Sequence, residues 1–353
     1  MKLKGKRLRP EKESNKKYVI LLGILDILAI ICFILVYAVP YVKNFVITTA
    51  MTTMSHKWIA RTFYSEKTIN DVLSKNKISN FSFGTDASKV VIGSDEDISY
   101  ASHYEKELLE HKKDEDYKLI KFQHKGYNCF LVAMYDPTRV ELMLSTYVGQ
   151  SGQYLTAMAS DHKAKVAINA GGFIDADSSG VAGTGNGGIP AGVVIKDGKL
   201  LYGSGYGTRE LAGFNKDGIL VLSYTTANNA IANGIKDAIE FGPFLIVNGV
   251  SAKVYGNGGW GINPRTILAQ RRDGIVLFLV VDGNGTNKYN WNGRGGLEMG
   301  DIITLLERYG AYTAVNMDGG ASTTLVVENK LVNKPCGYSE TGERRLPNGW
   351  MFK

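Results

Sequence analysis

Residues 242–283 read GPFLIVNGVSAKVYGNGGWGINPRTILAQRRDGIVLFLVVDG, and this stretch decides the fold. It holds three apolar runs of strand length, separated by Asn248-Gly249, a glycine-rich connection and Asp273-Gly274. Asn-Gly and Asp-Gly pairs supply the positive φ of tight hairpins. No connection has the length or the 3.6-residue periodicity of the crossover helix that joins parallel neighbours. Strand follows strand, so antiparallel or mixed sheets are expected and a doubly wound parallel sheet is not.

The same texture continues on both sides of this stretch. CFLVAMY (129–135) and RVELMLST (139–146) are split by the turn signal Asp136-Pro137-Thr138. A helix is expected over about 152–162, then strands in KVAINAGGF (165–173), AGVVIKDGKLLY (191–202) and GILVLSY (218–224). Downstream, Leu297, Ile302, Leu305, Leu306 and Tyr309 form the apolar stripe of a helix over 297–309, and a last strand lies near Trp350. Residues 116–353 therefore read as one α+β domain, with mixed or antiparallel sheets and a few inserted helices.

The amino terminus differs. Residues 1–17 hold eight Lys or Arg and two Glu, a net +6 that accounts for most of the +7 of the whole chain. Residues 18–42 are apolar apart from Asp26, long enough for a transmembrane helix. The cationic run before them predicts a cytoplasmic amino terminus, with the remainder outside the membrane. A cleaved signal peptide is the rival reading, but its apolar core would be shorter and end at a small-residue site. Residues 43–115 are expected to be a membrane-proximal helical stalk and linker, with a short helix at 100–112. Basicity confined to a tail beside an apolar segment argues against a nucleic-acid partner. The soluble part carries Cys129 and Cys336, readable as two buried thiols or one disulfide. No zinc-type Cys/His spacing occurs.

Candidate chemistry lies where buried strands end and loops open. Asn169, Gly171 and Gly172 follow KVAI. Arg265 opens RTILAQ and offers a planar, permanently charged fork for phosphate. Asp282 directly follows an apolar run, and desolvating such a carboxylate is costly unless it is paired or used. Glu298 begins the helix that follows, where its alternative role is with the helix dipole. Asn316, Asp318, Gly319, Gly320, Ser322 and Thr323 combine an amide, a carboxylate, exposed backbone N–H groups and hydroxyls. The glycine-rich segment 180–188 has no helix after it, which excludes a dinucleotide fingerprint. No Gly-x-Ser-x-Gly elbow is present, so a serine hydrolase lacks its nucleophile turn.

NAGGF (169–173), the AGVVIKDGKL hairpin, FGPFLIVNG (241–249), NPRT (263–266), VVDG (280–283), GLEM (296–299) and NMDGGASTTL (316–325) occur in an order that resembles the phosphodiester glycosidase family. Members of that family include the lysosomal uncovering enzyme, which removes N-acetylglucosamine from a phosphodiester on mannose, and bacterial proteins associated with exopolysaccharide biosynthesis. Two positions depart from its pattern, Ala269 for a usual Gly and Asn284 for a usual Arg. The second removes a cation and bears on substrate identity more than on reaction class.

The resemblance implies a hydrolase cleaving at the anomeric carbon of a sugar-1-phosphodiester, with phosphate leaving. On that basis Arg265 and the N–H groups of Gly319 and Gly320 are expected to hold phosphate. Asp282 and Asp318 would flank the bond with Glu298 as a third carboxylate, and Asn169 and Asn316 would bind sugar hydroxyls. The expected partners are a glycan or sugar-phosphate polymer and the lipid bilayer around residues 18–42. No cofactor is required, although clustered Asp residues are able to hold a divalent cation. The competing readings are a non-catalytic envelope glycan-binding module and a metal-dependent phosphodiesterase.

Overall fold

The computed structural model describes residues 12–52, 56–93, 100, 102–176, 185–283, 295–337 and 339–353. Asn284, part of the 180–188 loop and most of the basic tail lie outside the described residues. The chain divides into two compact units, Met1–Leu73 and Ser74–Lys353.

The first unit contains α1 (Lys12–Ala38), α2 (Pro40–Met51), α3 (Lys57–Phe63) and most of α4 (Glu66–Lys75). Within α1, Lys16–Ala38 is long and apolar enough to cross a membrane. At 1.5 Å per residue it spans about 35 Å, against roughly 30 Å of bilayer hydrocarbon. The apolar run was expected to continue to residue 42 as one helix. It breaks at Val39, because the residue before a proline is driven out of the α region, and Pro40 then starts α2. Ile47, Ala50, Ala60, Tyr64, Ile69 and Val72 form a small core of this unit.

The second unit opens with β1 (Lys77–Ile78), α5 (His103–Leu109), β2 (Tyr117–His124), β3 (Tyr127–Met134), β4 (Val140–Leu144) and α6 (Leu155–Asp161). It continues with β5 (Val166–Asn169), β6 (Val194–Lys196), β7 (Lys199–Tyr202), β8 (Arg209–Asn215), β9 (Leu220–Thr225) and α7 (Ala227–Ala232). Then come β10 (Ile235–Glu240), β11 (Phe244–Val247), β12 (Val250–Ser251), β13 (Val254–Tyr255), β14 (Arg265–Arg271) and β15 (Val276–Val281). Last are α8 (Met299–Arg308), β16 (Ala311–Asn316), β17 (Leu325–Val327), β18 (Lys330–Leu331) and β19 (Asn348–Phe352).

A seven-stranded sheet runs β12-β11-β16-β14-β15-β3-β2. Two five-stranded sheets run β18-β17-β5-β19-β4 and β7-β6-β10-β8-β9, and β1 pairs with β13. Every pairing among the described strands is antiparallel. The expected α+β fold is therefore present. Asp197 and Gly198 both take positive φ between β6 and β7, the hairpin geometry expected of an Asp-Gly pair.

Alternation along the seven-stranded sheet assigns its two faces. Leu268, Phe278, Val280 and Val315 pack in one core with Ile168, Phe214 and Trp350 of the two five-stranded sheets. Ile267, Leu277, Leu279 and Val281 face the other way, against Ile302, Leu305 and Leu306 of α8. Covered on both sides, β14 and β15 bury every residue, which explains their near-continuous apolar sequence despite antiparallel pairing. Strands β8 and β10 and helix α7 were not evident from sequence.

Candidate functional site

The site grows from the end of β5. Asn169 is fully buried there, and both its oxygen and its amide nitrogen find partners. Its Oδ1 accepts the Thr266 hydroxyl at 2.7 Å and the Thr324 N–H at 3.1 Å, while its Nδ2 donates to the Asp318 carbonyl at 2.6 Å. The Asp318 N–H donates to the Ala170 carbonyl at 2.9 Å. Both backbone groups of Asp318 are thus held by residues 169–170, 149 positions away in the chain for the side-chain bond. Register produces this meeting: Asn316 pairs with Ile267, and the Met317 N–H extends the ladder to the Thr266 carbonyl before the chain leaves the sheet.

Asp318 projects from that anchored turn. Its Oδ1 accepts the Gly319 N–H at 3.0 Å, and Ser322 also hydrogen-bonds the carboxylate. Desolvation pushes its pKa up to about 6; Ser322, the charge of Arg344 and the Gly319 N–H draw it down, and the charge of Asp175 raises it. Arg344 pairs with Asp175 at 2.8 Å and lies 4.6 Å from the centre of the Phe173 ring. Asp175 is almost fully buried. Neither Asp175 nor Arg344 was singled out from sequence; both lie in aperiodic segments whose meeting depends on tertiary packing.

Two further amides border this turn. Asn316 donates Nδ2 to the Gly242 carbonyl at 3.1 Å, and Asn348 accepts the Gly171 N–H at 2.8 Å. Asn316 Oδ1, Asn348 Nδ2 and Thr323 Oγ1 are buried and have no hydrogen-bond partner among the described residues. Such orphan groups are costly unless something completes them. Gly172 lies so close to Phe241 that a Cβ there would be 3.1 Å from its ring.

The N–H groups of Gly319 and Gly320 were expected to hold an anion. Instead the first bonds Asp318 Oδ1, and the second bonds the Pro264 carbonyl at 2.9 Å. Both donors are consumed in shaping the turn.

Asp282 has different partners from those expected of a carboxylate beside a scissile bond. It is buried, and accepts Asn333 Nδ2 at 3.0 Å and the Lys334 N–H at 3.0 Å. Asn333 in turn donates to the Thr323 carbonyl and accepts the Leu325 N–H. Asp282 is therefore linked to the Asp318 turn through Asn333.

Arg265 is also buried. Its guanidinium donates to the carbonyls of Leu297, Trp260 and Gly261 at 3.0, 2.9 and 2.6 Å. Desolvation draws its pKa down to about 9, opposed by the charge of Glu298. Arg265 pairs in register with Val281, so side-chain alternation puts it and Asp282 on opposite faces of the sheet. Glu298 caps the start of α8 without a side-chain capping bond, and desolvation and Asp301 raise its pKa against the pull of Lys125 and Arg265.

The structure thus joins Asn169, Asn316, Asp318, Gly319, Gly320, Ser322 and Thr323 around one turn and attaches Asp282 behind it. Arg265 and Glu298 influence each other's charge, and the hydrogen bonds of Arg265 go to the 260, 261 and 297 carbonyls rather than to this turn. Among the described residues, no three His, Cys, Asp or Glu side chains gather to hold a metal ion. Cys129 is a buried free thiol in β3.

The sequence model of the family described as phosphodiester glycosidase matches residues 162–353. The SPbeta prophage-derived uncharacterized protein YomE of Bacillus subtilis strain 168 is 27% identical over 208 residues, 56% of this chain and 29% of that protein. The mouse N-acetylglucosamine-1-phosphodiester alpha-N-acetylglucosaminidase is 23% identical over 176 residues, 44% of this chain and 32% of that enzyme. The chain therefore matches about a third of the length of these relatives. The pro-peptide-inhibited catalytic domain of the zebrafish N-acetylglucosamine-1-phosphodiester alpha-N-acetylglucosaminidase superposes with a TM-score of 0.53 at 21% identity, over 69% of this chain and 85% of that one, a likeness of fold. With more than half of its length matched by the family model, the chain belongs to the phosphodiester glycosidase family.

Proposed function

We propose that the protein hydrolyses a sugar-1-phosphodiester in a cell-surface glycan, held to the membrane by Lys16–Ala38 with its second unit outside. Family membership supports the reaction class, and the basic tail before an apolar helix supports the orientation. The observation that carries the mechanism is the backbone-anchored Asp318, with its pKa near 6 and Arg344 within its field.

In this reading water attacks the anomeric carbon and gives its proton to Asp318. The bond from that carbon to the phosphate oxygen breaks, and the electron pair leaves with the phosphate monoester. A phosphate leaves as a stabilised anion, so charge on it matters more than its protonation. Arg344 supplies the compensating cation, and Asp175 orients it. Asn316 Oδ1 and Asn348 Nδ2 offer an acceptor and a donor to sugar hydroxyls. Arg265 supports the 260–261 and 297 loops, and Asp282 holds the 333–334 segment.

The test is to present the full chain, in detergent, with a panel of hexose and N-acetylhexosamine 1-phosphate methyl esters in ¹⁸O-labelled water. Label in the released sugar is expected. Label in phosphate instead would mean P–O cleavage, and no turnover across the panel would remove the enzymatic reading.

A further inference from the structure

Four segments meet beside the Asp175–Arg344 pair. Residues 344–346 bridge to 152–154 through Gln153 and Leu346. Residues 149–152 bond to 186–188, and Ile174 bonds to Ile189 next to the Phe173–Pro190 bridge. The approach is close enough to need glycine at 187, where φ is +70° and a Cβ would fall 2.0 Å from the Arg345 carbonyl oxygen. These contacts fix a rim beside the candidate site.

Tyr147 is 58% exposed, Tyr154 37%, Ile174 51% and Ile189 43%. Arg345 is exposed too, with its guanidinium 5.4 Å from the centre of the Tyr154 ring and Nη1 donating to the Gly152 carbonyl at 3.1 Å. Among the described residues no carboxylate pairs with it. A guanidinium has five N–H donors, so most of this fork stays available while the ring and the carbonyl hold its direction.

We infer that this rim binds the phosphate-linked remainder of the substrate beyond the scissile bond, with Arg345 on a second phosphate and Tyr154 and Tyr147 against sugar faces. Substrate identity here rests on the hydrolytic reading above. Charge selects the occupant. A cation with no carboxylate partner among the described residues, set beside exposed rings, matches a chain that alternates anionic phosphates with sugar rings, whereas a neutral glycan would leave Arg345 unmatched. The ligand class is a polymer of glycosyl phosphate units.

The experiment compares a fluorescent six-unit N-acetylglucosamine 1-phosphate oligomer with the methyl phosphodiester of one unit. Binding to full-length Asp318→Asn protein in detergent is measured at low and high salt. The oligomer is expected to bind more tightly than the monomer. Arg345→Gln combined with Tyr154→Ala should cut that advantage about tenfold, and Arg345→Lys should cut it less, the scale of one charge-assisted contact. Unfolding temperature checks that each variant is folded, and Tyr147→Ala is an independent variant should the double substitution fail to fold. An oligomer without advantage, or an advantage that survives all these substitutions, overturns the inference. Equal competition by linear polyphosphate would overturn the sugar-binding part, because charge alone would then suffice. An Arg345-dependent advantage in a parent protein that hydrolyses neither compound would sink the hydrolytic reading and leave the rim standing.

Discussion

Asn169 donates its side-chain amide to the backbone carbonyl of Asp318 at 2.6 Å, while the next residue, Ala170, accepts the Asp318 N–H. The ends of two strands in different sheets are thereby tied at the residue that carries the candidate carboxylate. The position of that carboxylate is set by packing between sheets rather than by its own loop.

Replacing Asn169 with Ala should therefore affect both fold and activity. The change leaves the Thr266 hydroxyl, the Thr324 N–H and the Asp318 carbonyl without partners in a buried place. At roughly 1–3 kcal/mol per unsatisfied group, partly relieved by relaxation, a loss of about 3 kcal/mol is expected. Thermal unfolding measures it, and a loss within a few tenths of a kcal/mol would mean the tie is dispensable.

Turnover should depend on ionised Asp318. With the pKa pushed up to about 6, kcat/KM should fall as pH drops through that value. Arg344 draws that pKa down, so Arg344→Gln should move the acid limb to higher pH. A limb that stays in place in the variant would separate Arg344 from Asp318.

Much of this was legible in the sequence, and the exceptions have physical reasons. Strands β14 and β15 were plain because both faces are buried, and Asn169 and Asp318 stood out as polar residues ending apolar runs. Strand β10 was not plain because Asp237 points inward from it. That carboxylate is buried, yet it accepts the N–H groups of Leu142 and Asp197 and pairs with Lys196. A pattern of inward apolar residues cannot register a charge whose partners come from two other strands or turns. Arg344 escaped notice similarly, because its neighbours Phe173 and Asp175 are about 170 residues away.

The raised pKa of Asp318 also has a stability consequence. Between its unfolded value near 3.8 and about 6, the folded state binds more protons than the unfolded state. Its contribution is therefore fully present below pH 3.8 and is lost as pH rises through 6. Two pKa units correspond to about 3 kcal/mol at most. Asp318→Asn removes the titration, so the variant should gain stability over the parent at pH 8 relative to pH 4, while losing about a hundredfold or more in turnover. Unfolding temperatures at the two pH values measure the difference, and parallel behaviour of both proteins would contradict a desolvated carboxyl.

Asp282→Asn distinguishes support from chemistry. An Asn side chain keeps one oxygen to accept Asn333 Nδ2 and the Lys334 N–H, both of which reach Asp282 Oδ1. If Asp282 only holds that segment, kcat should stay within about tenfold of the parent, well short of the hundredfold or more typical of a lost electrostatic group. Asp282→Ala removes the acceptor outright and should destabilise the fold by about 1–3 kcal/mol. A collapse of kcat in a well-folded Asp282→Asn protein would return this carboxylate to the reaction.

Arg265 and Arg344 should separate in the opposite sense. Arg265 spends its donors on three carbonyls of neighbouring loops, so Arg265→Gln unbinds those loops and should lower stability by about 2 kcal/mol or more. Arg344 is partly exposed but its partner Asp175 is buried, so Arg344→Gln, whose amide is still able to donate to that carboxylate, should lower stability by about 1 kcal/mol, less than Arg265→Gln. Its effect should appear in kcat/KM, lower by about a hundredfold, because the developing charge on phosphate loses its cation. The two variants measured side by side, by unfolding and by turnover, decide which guanidinium faces substrate. A folded Arg344→Gln enzyme of near-normal kcat/KM, beside an Arg265→Gln enzyme that is stable but inactive, would reverse the assignment.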